Sequence, residues 1–197
     1  MKPSVARKTS GPRAAAGEVR IIGGQWKRSK LPVADKPGLR PTPDRVRETL
    51  FNWLGQDLKG WRCVDAFAGT GALGLEAASR GAAQVQLVEQ DGALVQQLSR
   101  LKTQLQADAV QVTRGDGLAV LRQLSAASLD LIFLDPPFEA ELFEAALQAA
   151  APALVPGGYL YLEAPRAWTQ EAVAALGLTL YRHLQAGAVH AHLLQRS

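Results

Sequence analysis

The stretch Asp65–Gly74, DAFAGTGALG, decides the fold that we expect. It places the spacing Gly-x-Gly-x-x-Gly between an apolar run at Cys63–Phe67, typical of a buried strand, and a helical run at Ala72–Arg80. Glycines let the backbone turn tightly and approach a ligand closely, and a helix N-terminus presents free N–H groups to that ligand. The stretch therefore predicts a nucleotide-binding turn at the carboxyl end of a strand.

Two acidic residues near this turn indicate which ligand it binds. Glu89 ends the next predicted strand, 20 residues after Gly69, where a carboxylate can accept hydrogen bonds from both ribose hydroxyls. NAD-binding folds share these features, but Asp65 lies inside the apolar strand end and suits a cationic ligand better than a pyrophosphate. S-adenosylmethionine carries an ammonium and a sulfonium and no phosphate, so it is the cofactor that we predict. A tight turn without a ligand is the alternative.

Strand and helix patterns alternate from Trp61 to the C-terminus. Beyond the first strand and helix, we predict strands at 85–89, 110–113, 129–134 and 159–163, helices at 93–105, 118–124, 141–150 and 169–176, and two final strands at 179–183 and 188–194. Alternating units of this kind imply an α/β fold, a Rossmann-like and mostly parallel sheet with helices on both faces.

Two further elements are predicted before this domain. Short apolar runs at Val19–Val33, separated by a polar stretch, indicate a small hairpin. Thr42, Pro43 and Asp44 predict a helix start, with Thr42 as the capping residue, proline at the first helical position and an acid in the first turn.

A third acid follows the third strand of the alternating domain. Asp116 lies between two glycines, Gly115 and Gly117, at the edge of the sheet where ligands bind in a doubly wound fold. Its carboxylate can accept the amino group of an adenine. A plain Asp-Gly turn explains the same residues.

The predicted strand at 129–134 runs directly into Asp135-Pro136-Pro137-Phe138. An aromatic amino nitrogen is a weak nucleophile because its lone pair is delocalised into the ring. The Asp135 carboxylate and the Pro136 carbonyl can accept its two N–H groups and stabilise the positive charge that develops as it attacks a methyl group. Pro137 stiffens the loop, and Phe138 offers a ring on which a flipped-out base can stack. A loop without function is the alternative for the tetrapeptide alone.

Charge is distributed unevenly along the 197 residues, whose net charge is +4. Residues 1–62 contain 14 lysines and arginines against 5 acids, whereas residues 63–197 contain 8 against 13. A basic front of the chain suggests a polyanionic partner, although a solubilising basic tail explains the charge equally well.

Other features exclude several classes of protein. The single cysteine, Cys63, excludes an intramolecular disulfide, and with only three histidines a structural zinc site lacks its usual ligands, so we predict no metal. The N-terminus has no apolar signal region, and no segment reaches the ~20 apolar residues of a membrane span. We therefore expect a cytoplasmic protein that has no contact with a membrane.

These motifs, taken in order, resemble those of class I methyltransferases. The resemblance covers Asp65–Gly71, Glu89, Asp116 and Asp135–Phe138, and the pattern Asp/Asn-Pro-Pro-aromatic marks the subgroup that methylates amino groups. A protein of this subgroup is expected to bind S-adenosylmethionine at the first three motifs and its target amine at the fourth.

The N-terminal segments narrow the resemblance further. Arg20–Gly24, Lys30–Pro32 and above all Arg40–Leu54 are similar to the RsmD family of bacterial 16S rRNA guanine-N2 methyltransferases, over residues 19–194 in total. The resemblance implies a seven-stranded sheet with an antiparallel last strand, and action on 16S rRNA in the assembled small ribosomal subunit. It also implies that Thr42 and Arg45 lie near the cofactor or target base, and that the hairpin around Trp26 touches RNA.

The sequence thus predicts three groups of site residues. The catalytic group is Asp135, Pro136, Pro137 and Phe138. The cofactor group is Thr42, Arg45, Asp65, Phe67, Gly69, Thr70, Gly71, Glu89, Gln90, Asp116 and Gly117. The RNA group is Arg20, Trp26, Lys27, Arg28, Lys30 and Arg40.

We divide the chain into a disordered basic arm at 1–18, an RNA-contacting hairpin extension at 19–39 and a catalytic domain at 40–197, and we expect a monomer. Three alternatives remain open at this point. An adenine-N6 or protein-glutamine methyltransferase would share the fold and the tetrapeptide. An NAD-dependent dehydrogenase would share the glycine turn, and a noncatalytic RNA-binding protein would share the fold alone.

Overall fold

The computed structural model describes residues 17–36, 39, 41–137 and 142–197. Within this part of the chain nine strands and six α-helices follow one another, and a 3-10 turn joins α5 to β7. Their bounds are β1 Glu18–Arg20, β2 Lys30–Pro32, α1 Asp44–Trp53, β3 Arg62–Asp65, α2 Ala72–Ser79, β4 Gln84–Glu89, α3 Gly92–Gln104, β5 Val110–Arg114, α4 Gly117–Leu121, β6 Leu129–Leu134, α5 Phe143–Ala150, β7 Leu154–Ala164, α6 Gln170–Ala174, β8 Leu178–Ala186 and β9 Val189–Arg196.

Seven strands form one sheet in the order β5-β4-β3-β6-β7-β9-β8. The pairs β3–β4, β3–β6, β4–β5 and β6–β7 are parallel, while β9 runs antiparallel to both of its neighbours, β7 and β8. The predicted α/β class, the mostly parallel sheet and the antiparallel last strand are confirmed. Strand order reverses between β3 and β6, and open sheets bind ligands at the carboxyl ends of the strands beside such a switch point.

Side chains of the central strands alternate between two apolar cores. Cys63 and Phe133 point toward one core, which contains side chains of α1, α2, α3 and the β1–β2 pair. Val64 and Ile132 point toward the other, which contains side chains of α4, α5 and α6. We call the first side of the sheet the α2 face. Helices therefore cover both faces, as predicted, and no helix in the described ranges is long and apolar enough to cross a bilayer.

The start of α1 differs from the sequence prediction. The helix begins at Asp44, but Pro43 occupies the capping position and no side chain caps the helix. Thr42, which we predicted as the cap, instead donates its hydroxyl to the Glu163 carboxylate at the end of β7. A buried hydrogen bond to a carboxylate is stronger than a cap on an exposed helix end, and it ties the start of α1 to the sheet.

The predicted hairpin is present as the antiparallel pair β1–β2, and a buried carboxylate fastens its loop to α2. Glu76, fully buried in α2, accepts hydrogen bonds from the backbone N–H groups of Ile22 at 2.7 Å and Gly23 at 2.8 Å. It also accepts from the guanidinium groups of Arg80 at 2.9 Å and Arg47 at 3.4 Å. Since Arg47 is itself fully buried, one carboxylate joins the hairpin loop, α1 and α2.

We expect Glu76→Ala to destabilise the protein by about 3–5 kcal/mol, because it leaves the buried Arg47 guanidinium without its buried partner. Urea denaturation measures the change. Asp44→Ala is the matched control, since it removes the exposed carboxylate on the other side of the same guanidinium and should cost less than about 1 kcal/mol. Equal losses in the two variants would contradict the role given to Glu76.

Candidate cofactor and active site

The glycine turn between β3 and α2 has the geometry that the sequence predicted. Gly69 and Gly71 both have positive φ angles, +52° and +79°, and Gly71 is the residue that precedes α2. A Cβ added at Gly71 would lie 2.6 Å from Leu98 Cδ2, so a larger residue is excluded by space as well as by conformation. The turn therefore brings backbone N–H groups to the carboxyl edge of the sheet. Thr70, between the two glycines, is buried.

Glu89 ends β4 and holds this turn in place. Its Oε2 accepts the Gly69 N–H at 3.0 Å, and its Oε1 accepts the Asp91 N–H at 2.8 Å. Each oxygen of a carboxylate can accept more than one hydrogen bond, so Glu89 keeps acceptor sites for a ribose. Gln90, also predicted at the cofactor site, is exposed beside it.

Asp65 ends β3 and is almost completely buried, with 2% of its surface exposed. Its Oδ2 accepts the N–H of Gly74 in α2 at 3.0 Å. Burial above all raises the pKa of Asp65 to about 7, with a smaller contribution from the nearby Glu89 and Glu163 carboxylates and an opposing effect of its backbone hydrogen bonds. The residue thus fixes the helix to the strand, and its surroundings disfavour its ionised form.

Asp135 follows β6, and Glu163 lies near the end of the adjacent strand β7. Burial is the main cause that raises the pKa of Asp135 well above its usual range, followed by the charges of Glu163 and Asp65. Within the described residues, the Asp135 side chain has no hydrogen-bond partner. Burial also raises the pKa of Glu163, although the hydroxyl groups of Thr42 and Tyr161 donate to it and favour its ionised form.

Asp65, Glu89, Asp135 and Glu163 therefore come from four adjacent strands and share the α2 face. The strand register places Asp65 level with Phe133 and Leu87, and the other three acids continue the same alternation. None of the four takes part in an ion pair within the described part of the chain. A site with this surplus of negative charge fits a cation such as a sulfonium or an ammonium and repels a pyrophosphate.

The loop after β5 completes the edge of the site. Asp116 caps α4, since its Oδ1 accepts the Ala119 N–H at 2.7 Å, and no hydrogen bond to its Oδ2 is found among the described residues. A Cβ added at Gly117 would lie 2.2 Å from the Ala66 carbonyl oxygen and 2.9 Å from the ring of Phe67, so only glycine allows this close approach. Asp116 is thus both a helix cap and an available acceptor.

The predicted RNA contacts lie elsewhere. The N–H of Trp26 donates to Ser79 Oγ at 3.0 Å, at the far end of α2, about one eight-residue helix or ~12 Å from the glycine turn. The Trp26 ring is half-buried against the core, whereas Arg20, Lys27, Arg28 and Lys30 are exposed. The structure therefore separates the hairpin members of the RNA group from the acidic site, and the role of the group stays a prediction.

For the remaining predicted site residues that the structure describes, the degree of exposure is the main finding. Arg45 is exposed on the first turn of α1, Pro136 is buried and Pro137 is exposed. Arg40, Phe138 and the arm at 1–16 lie outside the described residues. Among the residues described, no group of three or more side chains is arranged to hold a metal ion.

Sequence reasoning missed Glu163 and its partner Tyr161. The signal was available, because Glu163 interrupts an apolar strand end in the same way as Asp65 does. The hydrogen bonds from Thr42 and Tyr161 were not predictable from pattern, since Thr42 lies 121 residues away in the chain.

We expect the protein to lose stability as the pH rises from about 4 to about 7. In this interval the folded protein keeps a proton on Asp65 that the unfolded chain releases, so the free energy of unfolding falls and the loss is complete above the folded pKa. Asp65→Asn can still accept from Gly74 but cannot ionise. Urea denaturation should therefore show a decline with pH that is smaller in this variant, by an amount on the order of 4 kcal/mol.

The exposed residue Asp108 provides the control for this measurement. Asp108→Asn should keep the full pH dependence of the wild type. A stability difference between Asp65→Asn and the wild type that does not change with pH would contradict the assignment.

Comparison with known proteins places this site in a family. The model of the family Conserved hypothetical protein 95 matches residues 19–195. A protein named Ribosomal RNA small subunit methyltransferase D from Escherichia coli (strain K12) is 50% identical over 131 residues, 66% of each chain. A protein of the same name from Haemophilus influenzae is 40% identical over 184 residues, 87% of this chain and 95% of the relative.

Solved structures agree with these relatives. The Escherichia coli protein yhhF has a TM-score of 0.79 at 42% identity, with 92% of this chain and 99% of that chain covered. HI0767 from Haemophilus influenzae has a TM-score of 0.75 at 34% identity, with 91% and 99% covered. The chain therefore belongs to the family Conserved hypothetical protein 95 and is a methyltransferase of the RsmD group that its motifs resemble.

Proposed function

We propose that the protein transfers a methyl group from S-adenosylmethionine to the exocyclic N2 of a guanine in 16S rRNA of the small ribosomal subunit. The observation that carries this proposal is Asp135, a half-buried carboxylate without a hydrogen-bond partner among the described residues, beside the glycine turn. The names of the curated relatives support RNA of the small subunit as the substrate. We expect the protein to act in the cytoplasm, where the small subunit is assembled.

The four carboxylates support S-adenosylmethionine as the cofactor. When bound, it supplies an electrophilic methyl group on a sulfonium. The positive charge of the sulfonium complements the carboxylates of this site. We assign its ammonium group to Asp65, its ribose to Glu89 and its adenine to Asp116, whose Oδ2 accepts no hydrogen bond among the described residues. A nearby cation also lowers the pKa values of the surrounding acids, so an occupied site favours ionised Asp135.

Asp135 acts on the amino group that is methylated. Its ionised carboxylate accepts one N–H of the target amine, and the Pro136 carbonyl accepts the other, so the nitrogen is drawn toward tetrahedral geometry. Positive charge that develops on the nitrogen is stabilised by these fixed acceptors, and Asp135 is placed to take the proton that the nitrogen then releases. Pro136 and Pro137 keep the acceptors rigid, which contributes through positioning.

The same observations weigh against the alternatives. An NAD-dependent dehydrogenase would have to place a pyrophosphate beside four carboxylates that no cation of the described residues neutralises. In an RNA-binding protein without activity, a half-buried Asp135 without a hydrogen-bond partner among the described residues would have no function. Adenine-N6 and protein-glutamine methylation would use the same acceptors, so the product of the reaction has to separate them.

The basic surface of the hairpin is the region that we propose for RNA contact. Arg20, Lys27, Arg28 and Lys30 are exposed there, and lysines and arginines bind phosphates without reading the sequence. Their distance from the acidic site suits a large substrate such as an assembled subunit, which can contact the protein at both places.

We expect Asp135→Ala to lower kcat by about 100- to 1,000-fold, because it removes an acceptor that acts mainly in the transition state. Asp135→Asn keeps one carbonyl acceptor and should lose less activity. Methylation is measured with labelled S-adenosylmethionine, and calorimetry with S-adenosylhomocysteine should show that both variants keep a folded cofactor site. An Asp135→Ala protein as active as the wild type would rule out this mechanism.

The substrate is tested with small ribosomal subunits that lack the modification. After incubation with labelled S-adenosylmethionine, we expect the label to appear in N2-methylguanosine at one position of 16S rRNA. Label in N6-methyladenosine or in protein glutamine would replace the proposal with one of its alternatives.

A further inference from the structure

Glu163 is a buried carboxylate, and only one of its two oxygen atoms is hydrogen-bonded to the described part of the protein. The residue is 4% exposed, and its Oε1 accepts hydrogen bonds from the hydroxyls of Tyr161, at 2.9 Å, and of Thr42. Its Oε2 has no hydrogen-bond partner among the described residues, and this atom is still accessible to solvent. One oxygen is therefore anchored and the other is free to accept a donor from outside.

The free oxygen belongs to a side chain beside Asp135. Leu134 of β6 pairs with Leu162 of the parallel strand β7, so Asp135 and Glu163 are the next residues along two neighbouring strands. Such strands lie about 4.8 Å apart, and both residues continue the alternation that points toward the α2 face. The Glu163 carboxylate disfavours the charge of Asp135, as expected when two such groups are close.

Two fixed hydroxyls donate to Glu163 and favour its acceptor form, against the burial that raises its pKa. Tyr161 is fully buried and keeps its proton, because burial and the adjacent carboxylates raise its pKa. Its hydroxyl and that of Thr42 both donate to Oε1, which stabilises the ionised form of Glu163. The pair also fixes the orientation of the carboxylate, so Oε2 presents a lone pair in one direction.

We propose that Glu163 selects guanine by accepting its N1–H through Oε2, next to the amino group held by Asp135. Guanine has an N1–H beside its amino group, so each of the two adjacent carboxylates can accept a hydrogen bond from the base, Asp135 from the amino group and Glu163 from N1–H. Adenine and cytosine carry a ring-nitrogen lone pair beside theirs, which Oε2 would repel and which would leave Glu163 without a donor. The inference rests on the proposed function and assigns Glu163 to the discrimination between amine-bearing bases, a separate role from that of Asp135.

The test compares two bases at the nucleotide that the labelling experiment identifies. Small subunits are reconstituted with 16S rRNA that carries guanine or 2-aminopurine there; 2-aminopurine keeps the amino group but has a lone pair at N1. We expect the wild type to prefer guanine by about 10- to 100-fold in kcat/KM, the range for a buried acceptor left unpaired. A third substrate, 6-thioguanine, changes position 6 but keeps N1–H, and should react at a rate near that of guanine.

The matched variant is Glu163→Gln. Its carbonyl can still accept from Thr42 and Tyr161, while its NH2 replaces Oε2 and faces the base as a donor. We expect kcat/KM for guanine to fall by about 10- to 100-fold and that for 2-aminopurine to stay or rise, so that the preference is lost. Tyr161→Phe removes an anchor but leaves both carboxylate oxygens, and should retain the preference for guanine.

Three results would overturn the inference. One is a Glu163→Gln protein whose kcat/KM falls equally for both bases, which a purely structural role predicts. Another is a wild type that methylates 2-aminopurine as well as guanine, a measurement that needs no variant to fold. The third is a Tyr161→Phe protein that loses the preference for guanine while the Glu163→Gln protein keeps it. Failure of the proposed function itself is distinct, because the wild type would then not label guanine.

Discussion

The crowding of four carboxylates on one face of the sheet is the constraint on which the rest of the structure depends. Asp65, Glu89, Asp135 and Glu163 lie at the ends of adjacent strands. Burial disfavours the charges of Asp65, Asp135 and Glu163, and neighbouring carboxylates add to this at Asp65 and Asp135. Backbone N–H groups and hydroxyls offset part of this cost, since Asp65 accepts from Gly74, Glu89 from the glycine turn, and Glu163 from two hydroxyls. Asp135 has no such partner among the described residues. A cationic cofactor can offset the remaining negative charge, and the N–H groups of a base can donate hydrogen bonds to the free carboxylate oxygens.

The N-terminal segment is fastened to the elements that form this site, although its own elements precede the sheet. Glu76 fastens the hairpin loop and α1 to α2, the helix that begins at the glycine turn. Thr42 then reaches from the start of α1 to Glu163. Val19, Ile21 and Leu31 of the hairpin lie in the same apolar core as α1 and α2. The hairpin is therefore held rigidly relative to the site by shared core packing, which a loosely attached extension would not be.

The sequence predicts the sheet well and the side-chain contacts poorly, for one physical reason. Burial on both faces produces continuous apolar runs such as 129–134, and glycines at positive φ are required by the turn itself, so both signals are local. The contacts of Thr42 with Glu163 and of Arg47 with Glu76 join residues 121 and 29 positions apart. No pattern of periodicity encodes such pairs. The capping assignment of Thr42 was wrong because a tertiary acceptor competed with the helix end for the same hydroxyl.

The shared charge also couples the two halves of the proposed reaction. Asp135 and Glu163, which accept the N–H groups of the base, lie beside the acids that favour a cationic donor, so the charge of the donor favours the ionised form that the base needs. After methyl transfer the sulfonium charge is gone, and the four carboxylates hold the product of the donor less tightly than the donor itself. The methylated nitrogen has also exchanged one N–H for a methyl group, which leaves Asp135 or the Pro136 carbonyl without a donor. Both changes weaken the product complex, so one acidic face can promote binding of the substrates and release of the products.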